Sequence, residues 1–174
     1  KVAMKKLILF SVLFFWQFCC LGQSRNNYWG LGYGSFQPDT FFGGMLMTFN
    51  NSQMSLTNHP RLMWFDYTNA SICNESGQLL FNTNGIWIAN SLEDTMLNGN
   101  DLNPSWFTDQ WNFWGMQIPQ GDIILPMPGD TAKYYLFHET IDIQSIYYPN
   151  KLYVTTVDMQ GDSSRGAVTE KNKI

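Results

Sequence analysis

Past the first two dozen residues, apolar side chains come in runs of four to eight bounded by Gly, Pro, Asn and Asp. No stretch there repeats apolar residues at the 3.6-residue interval of an amphipathic helix. Such punctuation predicts strands, at 45–49, 62–66, 70–73, 78–83, 86–89, 122–125, 133–139 and 152–158. The fold class is therefore all-β. Two connections have hairpin character. Asn74-Glu75-Ser76-Gly77 joins the third and fourth runs, with Gly77 free to take positive φ, and Pro126-Met127-Pro128-Gly129-Asp130 joins 122–125 to 133–139.

The two hairpins are alike. Ser71-Ile72-Cys73 before its turn and Leu79-Leu80-Phe81 after it match Ile123-Ile124-Leu125 and Tyr135-Leu136-Phe137, which sets Phe81 and Phe137 56 residues apart. That interval is near one blade of a β-propeller with residues 91–120 as an insertion, and serial hairpins also suit a β-sandwich. The 91–120 stretch is too long for a plain connection. It carries Trp106, Trp111 and Trp114 among Asn, Asp and Gly residues. These tryptophans are candidates for stacking on a sugar ring, and large aromatics equally serve to plug a gap between sheets.

The first residues follow another pattern. Lys5 and Lys6 precede an apolar run from Leu7 to Cys20, and Cys20-Leu21-Gly22 supplies small residues where a signal peptidase reads. Fourteen residues at ~1.5 Å each reach about 21 Å, short of a ~30 Å hydrocarbon core, which separates a signal peptide from a membrane anchor. A lipoprotein signal wants an aliphatic residue three before its cysteine, and Trp16 and Gln17 stand there instead. Residues 1–22 are thus read as a helical signal peptide and 23–174 as the exported part. No later run is long and apolar enough to span a bilayer.

Charge and cysteine content narrow the classes. Removing residues 1–22 takes Lys1, Lys5 and Lys6 and no acid, leaving seven Lys/Arg against fourteen Asp/Glu, a net charge of −7. That balance argues against nucleic acid and fits a protein or glycan partner at the cell surface. Cys73 is the single cysteine after Gly22, so the exported part forms no internal disulfide and rests on its aromatic-rich core. Beside Ile72, the thiol reads as a small buried core residue.

No constellation for catalysis, a cofactor or a metal emerges. No serine sits in a Gly-x-Ser-x-Gly setting. His59 precedes Pro60 in a turn, His138 continues an aromatic strand, and neither has Cys, Asp or Glu ligands at zinc spacing. Asp66, Glu75 and Glu139 are carboxylates without a spacing that pairs them for glycoside hydrolysis. The oxygen-rich stretches Asn98–Asn103 and Asp158–Asp162 depart from the EF-hand pattern and read as solvated turns.

In order along the chain stand Asn27-Tyr28-Trp29-Gly30-Leu31-Gly32-Tyr33-Gly34, Asn69-Ala70-Ser71-Ile72, Ser76-Gly77-Gln78-Leu79-Leu80-Phe81-Asn82-Thr83-Asn84-Gly85 and Asn98-Gly99. Ile124-Leu125-Pro126-Met127-Pro128-Gly129, Tyr134-Tyr135-Leu136-Phe137, Leu152-Tyr153-Val154-Thr155-Thr156-Val157-Asp158-Met159 and Gly166-Ala167-Val168-Thr169-Glu170-Lys171-Asn172 follow. This set, covering most of 27–172, resembles the N-terminal propeller region of large secreted Bacteroidota proteins, which often end in a type IX secretion sorting domain or a gliding-motility-associated C-terminal domain. The resemblance implies a partial β-propeller, one to two blades of a longer one continuing beyond residue 174. It also implies export to the surface and a non-enzymatic interaction or adhesion role, with no catalytic motif to carry over. The usual Ser-Asp before the first tight turn is Cys73-Asn74 here. Asp94-Thr95-Met96 and Asp130-Thr131-Ala132 resemble the O-glycosylation signal of such exported proteins, which makes Thr95 and Thr131 candidate acceptors on exposed loops.

Expression of the chain in an exporting host is expected to yield a mature protein beginning at Gln23. Intact-mass spectrometry checks this, and retention of Leu7 to Cys20 in the exported protein would refute the signal assignment.

Overall fold

The structure, a computed structural model, describes residues 24–34, 43–50, 53–142 and 148–174. The expected signal peptide lies outside them. Among the described residues no helix is long and apolar enough to cross a membrane.

Among the described residues ten strands form three antiparallel sheets, none closed on itself. β1 (Tyr28–Leu31), β2 (Met45–Asn50) and β3 (Gln53–Asn58) make the first, and β4 (Ala70–Cys73), β5 (Leu79–Thr83) and β6 (Ile88–Asn90) the second. The third is a four-stranded meander of β7 (Asp122–Pro126), β8 (Lys133–Thr140), β9 (Lys151–Asp158) and β10 (Ala167–Lys173). The all-β expectation therefore stands. Both predicted hairpins form, and Gly77 sits at φ 81°. In the first, the Asn74 side chain accepts from the backbone N–H of Ser76 and of Gln78, so the turn carries its own cap.

The expected strand at 62–66 is a correction. Only Phe65 pairs, in a single bridge to Gly32, and the rest of that stretch is irregular. Arg61 explains this, since its guanidinium donates to the carbonyls of Leu31, Gly32, Met45 and Met63 and stacks 4.6 Å over the Phe65 ring. The chain around it is bent to one buried cation rather than extended along a neighbour. Strands β1, β3 and β10 were not anticipated, because β3 is exposed throughout and β10 is mostly polar.

The main core lies between the second and third sheets. Ile72, Phe81 and Ile88 from one meet Ile124, Leu136 and Val157 from the other, with Phe81 edge-on to Tyr134 at 5.7 Å. β8 alternates with period two, burying Tyr134, Leu136, His138 and Thr140. Cys73 is fully buried as expected, and burial pushes its thiol pKa up.

Polar residues close this core as well. Asn103 gives its amide N–H to the Gly85 carbonyl at 2.9 Å, which turns its oxygen toward His138 Nδ1 at 2.7 Å. That arrangement sets the proton on Nδ1, so Nε2 accepts from the Thr155 hydroxyl at 2.8 Å. The Thr155 oxygen accepts from the Asn172 N–H, and the Asn172 amide oxygen accepts from the Asn103 N–H. Four residues thus form a closed ring that ties β8, β9 and β10 to the segment at 98–105. Asn103 and Asn172 both take left-handed backbone, φ 53° and 54°, which Asn tolerates better than most residues.

His138 and Asp122, cross-strand partners in β8 and β7, bend stability with pH in opposite directions. Burial pushes the His138 pKa down to about 4, against ~6.5 in an unfolded chain. Its contribution is thus complete above ~6.5 and lost as pH falls toward 4. Burial, followed by the Glu139 charge, pushes the Asp122 carboxyl up to about 8, against ~3.9 unfolded. Both Asp122 oxygens are buried without a hydrogen-bond partner, so stability falls as pH rises from ~3.9 to 8. The two slopes offset each other below ~6.5, leaving a loss of roughly 2 kcal/mol between there and 8. Denaturant titrations at pH 6.5 and 8 are expected to show that decline, and Asp122→Asn to abolish it. Persistence of the decline in the variant would remove Asp122 as its cause.

Candidate functional site

The tryptophan-rich insertion is not an extended loop. Ser105, extended at φ −164°, caps a short helix, α1 (Trp106–Trp111), by accepting the Thr108 N–H. Its hydroxyl also accepts from Thr140 at 2.8 Å, which anchors the cap to β8. An isolated six-residue helix is unstable in water. Here Phe107 is buried with Ile86, Met116, Ile118 and Ile141, and Trp106 and Trp87 pack on the same cluster.

The structure separates the three tryptophans. Trp106 serves the core. Trp111, at the end of α1, is 46% exposed, and Trp114 is 38% exposed. Trp114 joins an aromatic group, centred on Trp64, that the linear order of residues conceals. The Trp114 ring meets Trp64 edge-on at 4.7 Å and Phe113 at 5.5 Å, Trp64 meets Phe113 at 5.0 Å, and Tyr33 meets Trp64 at 5.1 Å. Tyr33 and Phe113 are each about half exposed. Three segments distant in sequence thus present one aromatic surface. Gly34 permits it, since a Cβ there would stand 2.5 Å from the Trp64 ring. The Trp64 indole N–H is buried without a partner among the described residues. Of this surface Trp114 alone is a site candidate in the sequence; Trp64 lies in the expected strand at 62–66, Tyr33 in the stretch 27–34, and Phe113 carries no local signal.

Beside α1 lies a pocket of about 400 Å³. Ile86 and Trp87 line it from the approach to β6, Asn100 and Asp101 from the following loop, and Asp109 and Asn112 from α1 and its C-terminal cap. Thr95 and Thr108 complete the lining. Asp101 has left-handed backbone at φ 57°. The Asp101 and Asp109 carboxylates and the Asn100 and Asn112 amides make no side-chain hydrogen bond among the described residues. Thr95 and Thr131 are both exposed, the latter in the β7–β8 turn.

The remaining candidates fall into structural settings. His59 Nε2 lies 3.1 Å from both Tyr28 Oη and Glu93 Oε1, and Asn82 donates to the same carboxylate. Burial first, then the Glu93 charge, push the Tyr28 phenol pKa up. This cluster and Ser71 Oγ, which donates to the Tyr28 carbonyl at 2.6 Å, join the first sheet to the second. Glu75 pairs with Arg25 at the surface, and Asp66 and Glu139 are half buried. Among the described residues no three His, Cys, Asp or Glu side chains come together as a metal site. Comparison with protein-family models, with curated proteins and with solved structures gives no match to this chain.

Trp106→Ala is expected to destabilise the fold by about 2–4 kcal/mol and Trp111→Ala by less than about 0.5. Urea titration of the two variants checks this, and equal losses would refute the division of labour between them.

Proposed function

We propose that this chain is a non-catalytic interaction module of the cell exterior that binds a surface protein or glycan through the aromatic surface of Tyr33, Trp64, Phe113 and Trp114. The observation that carries the reading is the clustering of these rings from three distant segments with substantial exposure. Contiguous exposed apolar surface on a folded chain marks a contact site, and rigid aromatic rings dominate binding energy at such sites. The signal-like start and the acidic balance of residues 23–174 support an extracellular setting.

In the same reading the chain is part of a β-propeller. Two stacked antiparallel meanders support this, as does the outer face of the third sheet. There Ile123 stands opposite Phe137, and Leu125 opposite Tyr135. Ile123, Leu125 and Leu152 are exposed on that face, so it is apolar on the side away from the core. A sheet apolar on both faces is built to stack on a second neighbour. Export by a type IX system and attachment at the surface belong to the same proposal and rest on the sequence resemblance.

Affinity electrophoresis through polysaccharide gels, together with capture of surface proteins, tests the reading. Retardation or specific capture is expected for the intact chain and is expected to fall at least about tenfold in Phe113→Ala/Trp114→Ala with unchanged thermal stability. Binding unaffected by the double substitution would remove the aromatic surface from the proposal.

A further inference from the structure

The pocket beside α1 has the features of a preformed ligand site. Its volume of about 400 Å³ falls within the ~300–1,000 Å³ range of small-molecule sites. Its walls are held from behind. Lys171 Nζ binds the Asn100 carbonyl at 2.8 Å, and the Asn172 amide donates to the Asp101 carbonyl, also at 2.8 Å. Asn172 belongs to the buried ring around His138, so this wall is continuous with the most constrained part of the fold. On the opposite wall the Thr108 hydroxyl bonds to the Asn103 carbonyl, which fastens α1 to the same ring. Backbone groups are therefore committed to the fold, and the side chains of Asn100, Asp101, Asp109 and Asn112 are left to meet a ligand.

The chemistry of those side chains selects the ligand. Two carboxylates accept and two carboxamides both donate and accept, a set suited to hydroxyls that present donors and acceptors together. Trp87 and Ile86, packed on the core behind, line the apolar part of the pocket. No Lys or Arg side chain lines the pocket, and the two carboxylates repel an anion. Asn112 lines the pocket, and Phe113, the next residue, begins the aromatic surface.

We propose that this pocket is a saccharide subsite for an uncharged sugar unit, with Asp101 and Asp109 accepting from its hydroxyls and Trp87 beside its ring. The proposal rests on reading the chain as a binding module, and it names the ligand class and a second contact region. Isothermal titration of the full chain with neutral hexasaccharides of β-1,4-glucan, β-1,3-glucan, β-1,4-mannan and chitin tests it, with hexagalacturonate as the anionic control.

At least one neutral hexasaccharide is expected to bind, and hexagalacturonate to bind at least about tenfold more weakly. Asp109→Ala and Asn112→Ala, both at exposed positions on or beside α1, are expected to weaken binding about tenfold at unchanged melting temperature, because each removes hydrogen bonds to the ligand. Loss only in Phe113→Ala/Trp114→Ala would overturn the pocket assignment and leave the module reading standing. Equal binding of hexagalacturonate would overturn the uncharged class. Absence of binding by every neutral hexasaccharide up to millimolar concentration would also overturn the subsite, while capture of a protein partner would still decide the module reading separately.

Discussion

The closed ring of His138, Asn103, Asn172 and Thr155 is the constraint on which the rest of the structure depends. A buried polar group without a partner costs about 1–3 kcal/mol, so a ring in which each member satisfies the next is all or nothing. It works only with imidazole neutral, which its depth in the core enforces, and protonated on Nδ1, which the Asn103 oxygen fixes. From it extend the anchors of α1 through Thr108, of the loop at Asn100 and Asp101 through Asn172 and Lys171, and of the turn at Gly85 through Asn103. Asp122 stands in contrast, a neighbouring buried carboxyl that found no partner and is held toward its neutral form.

The first sheet is joined to this body by different means. Its strands are short or exposed and bury little apolar area of their own. Arg61 gathers the carbonyls at the end of that sheet where Leu31 pairs with Met45, and Glu93 gathers Tyr28, His59 and Asn82. Two buried or half-buried charges thus tie the first sheet to the body, beside the small cluster of Met63, Phe65 and Ala89. The irregular stretch around Arg61 also delivers Trp64 to the side of Phe113 and Trp114, so the proposed binding surface is a by-product of how the sheets are joined.

How far the sequence could be read depended on how local each signal was. Strands β4, β5, β7, β8 and β9 were legible because apolar runs between turn residues need no distant partner to be recognised, and Gly77 marked its hairpin through a backbone conformation that favours glycine. Strand β10 was not, since Glu170, Lys171 and Asn172 look like a polar tail until Thr155 and the 98–103 loop take up their hydrogen bonds. Helix α1 is not legible because six residues contain no repeat of the apolar period.

The sequence by itself determined the all-β class, the two hairpins, the buried cysteine and the acidic balance, all properties of short windows or of composition. Only the tertiary structure decided that Trp106 packs while Trp111 stays exposed and Trp114 meets Trp64. It alone showed that Asn100, Asp101, Asp109 and Asn112 face one pocket, and that a histidine, two asparagines and a threonine close into one ring. These groupings depend on which distant segments fold against one another. Burial and hydrogen-bond satisfaction act through space, and neither leaves a period along the chain.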